Sequence, residues 1–136
     1  MHDTIRIGII STLDKAKGTA QVYYQDTDNT TAALHLFAFS AEFSPPAIGD
    51  QVIVLHLPND TSSGVILGRF WSEADPPPAD VDYKREMGGG AYELLRGGEY
   101  TVCSQEIRLS GNAGEMTLSE LINLKRRVEA LERKGE

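Results

Sequence analysis

The sequence predicts a mainly β chain: a small N-terminal barrel of five short strands, a second run of short strands, and one C-terminal helix. Three observations carry this reading. Apolar residues alternate at a period of two through much of residues 1–72. A triple proline, Pro76-Pro77-Pro78, separates that region from a glycine-punctuated one. A heptad stripe of Leu121, Leu124, Val128 and Leu131 then closes the chain.

Ile5, Ile7 and Ile9 alternate with Arg6 and Gly8, which predicts a half-buried first strand. Ala20, Val22 and Tyr24 repeat the pattern in a second. Asp26-Thr27-Asp28-Asn29 supplies a turn, because Asx side chains bond their own backbone. Thr31 to Leu36 is the third strand, with Leu34 and Leu36 in phase. Pro45-Pro46 makes residues 37–48 a loop, plugged by its aromatic side chains. Gly49-Asp50 turns the chain into a fourth strand, Gln51 to Leu57, whose continuous run Val52-Ile53-Val54-Leu55 predicts burial of both faces. Pro58 to Ser63 reads as a hairpin connection and Gly64 to Trp71 as the fifth strand. Five short strands without a long helical stretch predict a closed barrel, since closure removes exposed edges, and five is the strand count of an OB-fold. Ile7, Ile9, Val22, Val52, Val54, Val65 and Leu67 are the expected core.

Residues 73–82 form a proline-rich linker, too poor in donors for a central strand and too proline-rich for a helix. In residues 83–115, strand-like pieces recur: Tyr83 to Met87, Ala91 to Arg96, Tyr100 to Ser104 and Glu106 to Ser110. Each carries too few apolar side chains for a private core, so the ribbon is expected to stack on copies of itself. Residues 116–136 form the C-terminal helix. Thr117 and Glu120 spell a capping box, and Met116 and Leu121 can staple it. A helix of about 16 residues is marginal alone in water, so its stripe needs a partner. Packing on its own barrel is the alternative, against which the proline linker argues.

The composition excludes several functions. The chain has 136 residues and a net charge of -7, and residues 1–79 hold four basic against nine acidic residues. Such a balance repels phosphate backbones, so no nucleic-acid partner is expected. Tyr23, Tyr24, Phe37, Phe39, Phe43, Phe70 and Trp71 are not interleaved with Lys or Arg as a base-stacking groove requires. No apolar run approaches the ~20 residues of a membrane helix, and Met1 to Arg6 lacks the layout of a secretory signal. Cys103 is the sole cysteine, which excludes an internal disulfide and a cysteine-based zinc site. His2, His35 and His56 are far apart and fit no metal or catalytic spacing. Asp26-Thr27-Asp28-Asn29 fails as a calcium loop, with Thr31 and Phe37 at the required glycine and glutamate positions. Gly88-Gly89-Gly90 lacks the lysine and helix of a phosphate loop. No enzyme, cofactor or metal is therefore predicted.

The order of parts resembles a known family. Ile7-Gly8-Ile9-Ile10-Ser11, then Asp14 with Lys17-Gly18-Thr19-Ala20-Gln21-Val22, is similar to the opening of phage baseplate assembly protein V. Pro46 with Gly49-Asp50-Gln51-Val52-Ile53-Val54-Leu55, and Ser63-Gly64-Val65-Ile66-Leu67-Gly68-Arg69-Phe70, continue the likeness. Phe70-Trp71-Ser72 running into the prolines completes it, over about residues 5–112. That family forms the central spike of contractile tails, with relatives in tailocins and type VI secretion. The resemblance implies a homotrimer, an OB-fold docked on a baseplate hub protein, and a triple-stranded β-prism or β-helix along the three-fold axis. Tyr92, Leu94, Tyr100, Val102, Ile107 and Leu109 are then its interior, and Leu121, Leu124, Val128 and Leu131 close a trimeric coiled coil. The number three comes from the resemblance, since leucine at both a and d does not fix it.

Long spikes of the family often end in a tip where histidines hold a metal ion. No histidine follows His56 here. The expectation is a shortened spike with a separate tip protein at its C-terminal end, or a hub centrepiece. Such a protein would be assembled in the bacterial host cytoplasm and reside in a virion or tailocin baseplate, without stable membrane insertion. The alternative reading is a single-stranded nucleic-acid-binding OB-fold module.

Overall fold

Strand β1 (Ile5–Asp14) serves two neighbours, and that double pairing closes a barrel. Its first half pairs antiparallel with β5 (Gln51–Leu57), from Ile5 opposite Leu55 to Ile9 opposite Gln51. Its second half pairs antiparallel with β2 (Thr19–Tyr24), from Ile9 opposite Tyr23 to Asp14 opposite Thr19. The register shifts between Ile10 and Thr12, so a bulge bends β1 where it changes partner. The computed structural model describes residues 4–58 and 60–135, so His2 lies outside it.

From β5 the ring continues antiparallel to β6 (Asp60–Arg69), which lies parallel to β4 (Leu34–Leu36), and β4 returns antiparallel to β2. β3 (Asn29–Thr30) is a short extension beside β2. The result is a closed five-stranded barrel, compatible with the expected OB-type fold. β6 begins at Asp60, within the stretch expected to be a hairpin connection.

Ile10, Ala20, Val22, Tyr24, Leu34, Val52, Val54 and Ile66 form the barrel core. Val22, Val52 and Val54 are core residues as the sequence predicts. The β1 and β6 expectations are out of phase by one residue. Ile7 is 52% exposed and Ile9 half-buried, whereas Ile10 is 1% exposed; in β6 Ile66 points inward, and Val65 and Leu67 are half-buried. The reason lies at Gly8, which is buried against β2. A Cβ there would sit 2.4 Å from Val22 Cγ1 and 2.8 Å from the Tyr23 carbonyl oxygen. Only glycine leaves room there for Tyr24, so the alternating set Arg6, Gly8 and Ile10 faces in and Ile5, Ile7 and Ile9 face the outer side.

Two further expectations are corrected. β5 buries one face only: Val52, Val54 and His56 point inward, while Leu55 and Leu57 are exposed. The loop after β4 makes one 3-10 turn at Phe39–Ala41, and its Phe37, Phe39 and Phe43 are exposed rather than plugged in.

The chain divides into two compact units, Met1–Pro77 and Pro78–Glu136. The proline-rich segment is partly structured at both ends. Ser72 and Asp75 exchange backbone hydrogen bonds of 3.0 and 3.2 Å, and Arg69 holds the Asp75 carboxylate at 2.7 Å. At the other end the Asp82 backbone N–H donates to the Leu95 carbonyl, and Arg96 Nε donates to the Asp80 carbonyl.

The second unit opens with an antiparallel meander of β7 (Tyr83–Gly88), β8 (Ala91–Arg96) and β9 (Glu99–Cys103). Gly97 and Gly98 join the last two strands with φ of 56° and 80°, as a two-residue primed turn requires. A hairpin of β10 (Arg108–Gly111) and β11 (Gly114–Thr117) follows, and then helix α1 (Leu118–Lys134). β11 corrects the expected boundary: Met116 pairs with Leu109 in a strand, and the helix starts two residues later.

Candidate functional site

Antiparallel pairing fixes which side chains share a face of the meander. Leu95 pairs with Tyr83 and Tyr100, and Glu93 with Arg85 and Val102. One face therefore carries Tyr83, Leu95, Tyr100 and Val102, with the Tyr100 hydroxyl bonded to Glu93 and Arg85 Nη1 4.0 Å from the same carboxylate. That bond raises the Tyr100 pKa. The opposite face carries Tyr92, Leu94, Thr101 and Cys103, with Lys84 Nζ 5.4 Å from the Tyr92 ring. The structure thus splits the expected interior set. Tyr92 and Leu94 share one face, and Tyr100 and Val102 share the other.

The two faces differ in exposure: Tyr83, Tyr100 and Val102 are exposed on the first, whereas Tyr92, Leu94, Thr101 and Cys103 on the second are half-buried. No side chain of β7, β8 or β9 is buried, and Tyr100 remains 57% exposed. Leu109 is likewise exposed, paired with Met116 on the hairpin face opposite the Arg108–Glu115 ion pair. Ile107 is half-buried, and its carbonyl accepts from the Leu118 N–H at 2.8 Å. Among the described residues of the second unit, Thr117 alone is buried.

Helix α1 has the same character. Thr117 caps it, its hydroxyl accepting from the Glu120 N–H at 3.2 Å. A second cap went unread in the sequence. The Glu106 carboxylate accepts from the Ser119 N–H at 3.2 Å and the Ile107 N–H at 3.0 Å. Hydrogen bonding from the Ser119 side chain foremost, then from the Ile107 N–H, holds its pKa below the usual carboxylate value. Arg133 and Lys134 complement the dipole at the other end. Between the caps no residue is buried. Leu121, Leu124 and Val128 are exposed, Leu131 is 67% exposed, and Leu118 and Ile122 widen the stripe near its start.

The barrel unit presents two apolar surfaces of its own. Because Gly8 and Ile10 face inward, Ile5 and Ile7 lie on the outer wall, where Ile5 pairs with Leu55 and Leu55 with Val65. At one barrel end, the parallel β4 and β6 both run out toward exposed aromatics: Phe37 packs edge-on against Phe39, centroids 4.4 Å apart, and Trp71 follows β6.

The barrel's buried polar groups are committed to structure. Tyr24 donates its hydroxyl to His56 Nε2 at 2.5 Å, and His56 Nδ1 donates to the Ser63 carbonyl at 3.0 Å, so neither ring nitrogen is open to act as a base. The Arg6 guanidinium stacks 3.8 Å over the Tyr24 ring and pairs with Asp26 at 2.7 Å. Burial pushes the Tyr24 hydroxyl pKa up, partly opposed by Arg6. A groove of about 320 Å³ opens beside Arg6, Asn29 and Thr31, and among the described residues that line it Arg6 alone is basic. His35 is exposed in β4, and Cys103 is a half-buried free thiol. Among the described residues no helix is long and apolar enough to cross a membrane.

What the geometry offers is a set of uncovered apolar faces on strands and a helix. Compared with known protein families and with curated proteins, the chain matches none.

Proposed function

We propose that this chain is a structural component of a contractile tail baseplate, in a phage or phage-tail-like particle, forming a homotrimeric central spike or hub centrepiece. The observation that carries the reading is the second unit without a core: among its described residues only Thr117 is buried. A three-stranded meander, a hairpin and a lone helix with no buried apolar side chain are each marginal. Three copies sharing one axis would cover the Tyr83, Leu95, Tyr100 and Val102 face in a prism, and the Leu121, Leu124, Val128 and Leu131 stripe in a coil. The sequence resemblance supplies the number three and the setting.

The role is mechanical. A core shared by three chains resists bending and transmits the axial thrust of sheath contraction toward the envelope. The exposed outer wall of the barrel, Ile5, Ile7 and Leu55, is the surface this reading offers to a hub protein.

Light scattering after size exclusion tests the proposal. A mass near three times 14.9 kDa, stable on dilution, is the expected result. A monomer at every concentration overturns it. Salt-sensitive binding of a single-stranded oligonucleotide would instead favour a nucleic-acid-binding barrel.

A further inference from the structure

We infer that α1 is a charge-registered self-association element whose occupant is a second copy of the same helix, parallel and in register. The inference rests on the self-association proposed above and adds its orientation and the residues that set it. With Leu121 and Val128 at a and Leu124 and Leu131 at d, Glu120 and Arg127 take g positions, and Lys125 and Glu132 take e positions. In a parallel pair each g residue faces the e residue five positions on in the neighbouring copy. Both resulting contacts, Glu120 with Lys125 and Arg127 with Glu132, join opposite charges.

The antiparallel arrangement fails on the same residues. Stacking Leu121 on Leu131 and Leu124 on Val128 sets Lys125 against its own copy and Arg127 against its own copy, two like-charge contacts at the centre. One favourable contact, Glu120 with Lys134, remains at each end. Like charges at close quarters oppose pairing by about as much as opposite charges favour it. None of Glu120, Lys125, Arg127 and Glu132 has an ion-pair partner among the described residues, so all four are available to a neighbour. The apolar stripe they flank is exposed along its length.

Charge reversal in the full chain tests this. Lys125→Glu is expected to weaken assembly at low salt by on the order of tenfold, since it sets like charges in every g–e contact at that level. Glu120→Lys added to it is expected to restore assembly, and 1 M salt to erase the difference. The rescue is diagnostic. Glu120→Lys by itself removes a favourable charge from the helix N-terminus, so recovery cannot arise within one helix. Leu121→Cys in a Cys103→Ser background adds a second readout, an interchain disulfide that forms only when both copies of position 121 adjoin. An assembled trimer in which the double variant fails to recover, or in which position 121 does not cross-link, overturns the inference and leaves the trimer standing. A wild-type monomer at every concentration overturns both.

Discussion

Tyr24 and His56 face each other across the barrel interior, hydroxyl to Nε2 at 2.5 Å, with both residues almost fully enclosed. The contact ties β2 to the inner face of β5, and the His56–Ser63 bond extends it to β6. Tyr24→Phe would remove the donor and leave Nε2 buried without a partner, which costs about 1–3 kcal/mol. Each kcal/mol lowers the melting midpoint of a unit this size by about 4–8 °C. Thermal melts followed by the fluorescence of Trp71, the sole tryptophan, should show the barrel transition falling accordingly. An unchanged midpoint would remove this bond from the account of barrel stability.

The inward phase of β1 gives a paired prediction. Ile10→Ala should destabilise the barrel by about 2–5 kcal/mol through a core cavity. Ile7→Ala, two positions from Ile9 and on the outer wall, should change it by no more than about 0.5 kcal/mol. Urea titrations of the two variants read the difference directly, and equal losses would contradict the phase.

Glu106 predicts a pH dependence at the start of α1. Its carboxylate is held below the usual value of 4.5 by bonds made only in the folded chain. The charged form is therefore favoured by folding. Its stabilising effect is complete above the unfolded pKa and is lost as pH falls through the lowered folded one. Helical circular dichroism should weaken over that acidic window, and Glu106→Gln should flatten the response.

Leu124→Asp with Val128→Asp should loosen the C-terminal helix while leaving the barrel folded. Limited proteolysis should cleave within residues 117–134 in the variant and spare the wild type, with Trp71 fluorescence unchanged in both. Equal protease resistance would sink the seam assignment.

Helix α1 and the barrel strands were legible because their signals are local. Thr117 caps the helix as its spelling suggests, and Val22, Val52 and Val54 lie inward at the period they show. The phase of β1 was not legible. Ile5, Ile7 and Ile9 are the more apolar alternating set, and what turns them outward is the contact of Gly8 with Val22 and Tyr23, residues distant in sequence. Met116 was ambiguous for a similar reason: a helix-start pattern overlapped a strand whose partner, Leu109, local spelling does not name. The division of Tyr92 and Leu94 from Tyr100 and Val102 could have been foreseen. A two-residue Gly97-Gly98 turn pairs even-numbered positions with odd ones, so equal spacing along the chain becomes opposite faces of the sheet. Glu106 as a second cap had no signature, because it reaches the helix from across the β10–β11 hairpin.

Strand β4 is only three residues long, yet it alone joins β2 to β6, through Thr19 opposite His35 and Ala20 opposite Leu34 on one side and His35 opposite Val65 and Leu36 opposite Ile66 on the other. It acts as a latch. Its release would convert a continuous ring into an open sheet with raw edges on β2 and β6, ready to zip onto any other extended chain. Amide protons around Leu34 to Phe37 should thus exchange before those of β1 and β5, and the fraction of time the latch stands open sets how readily this barrel clumps.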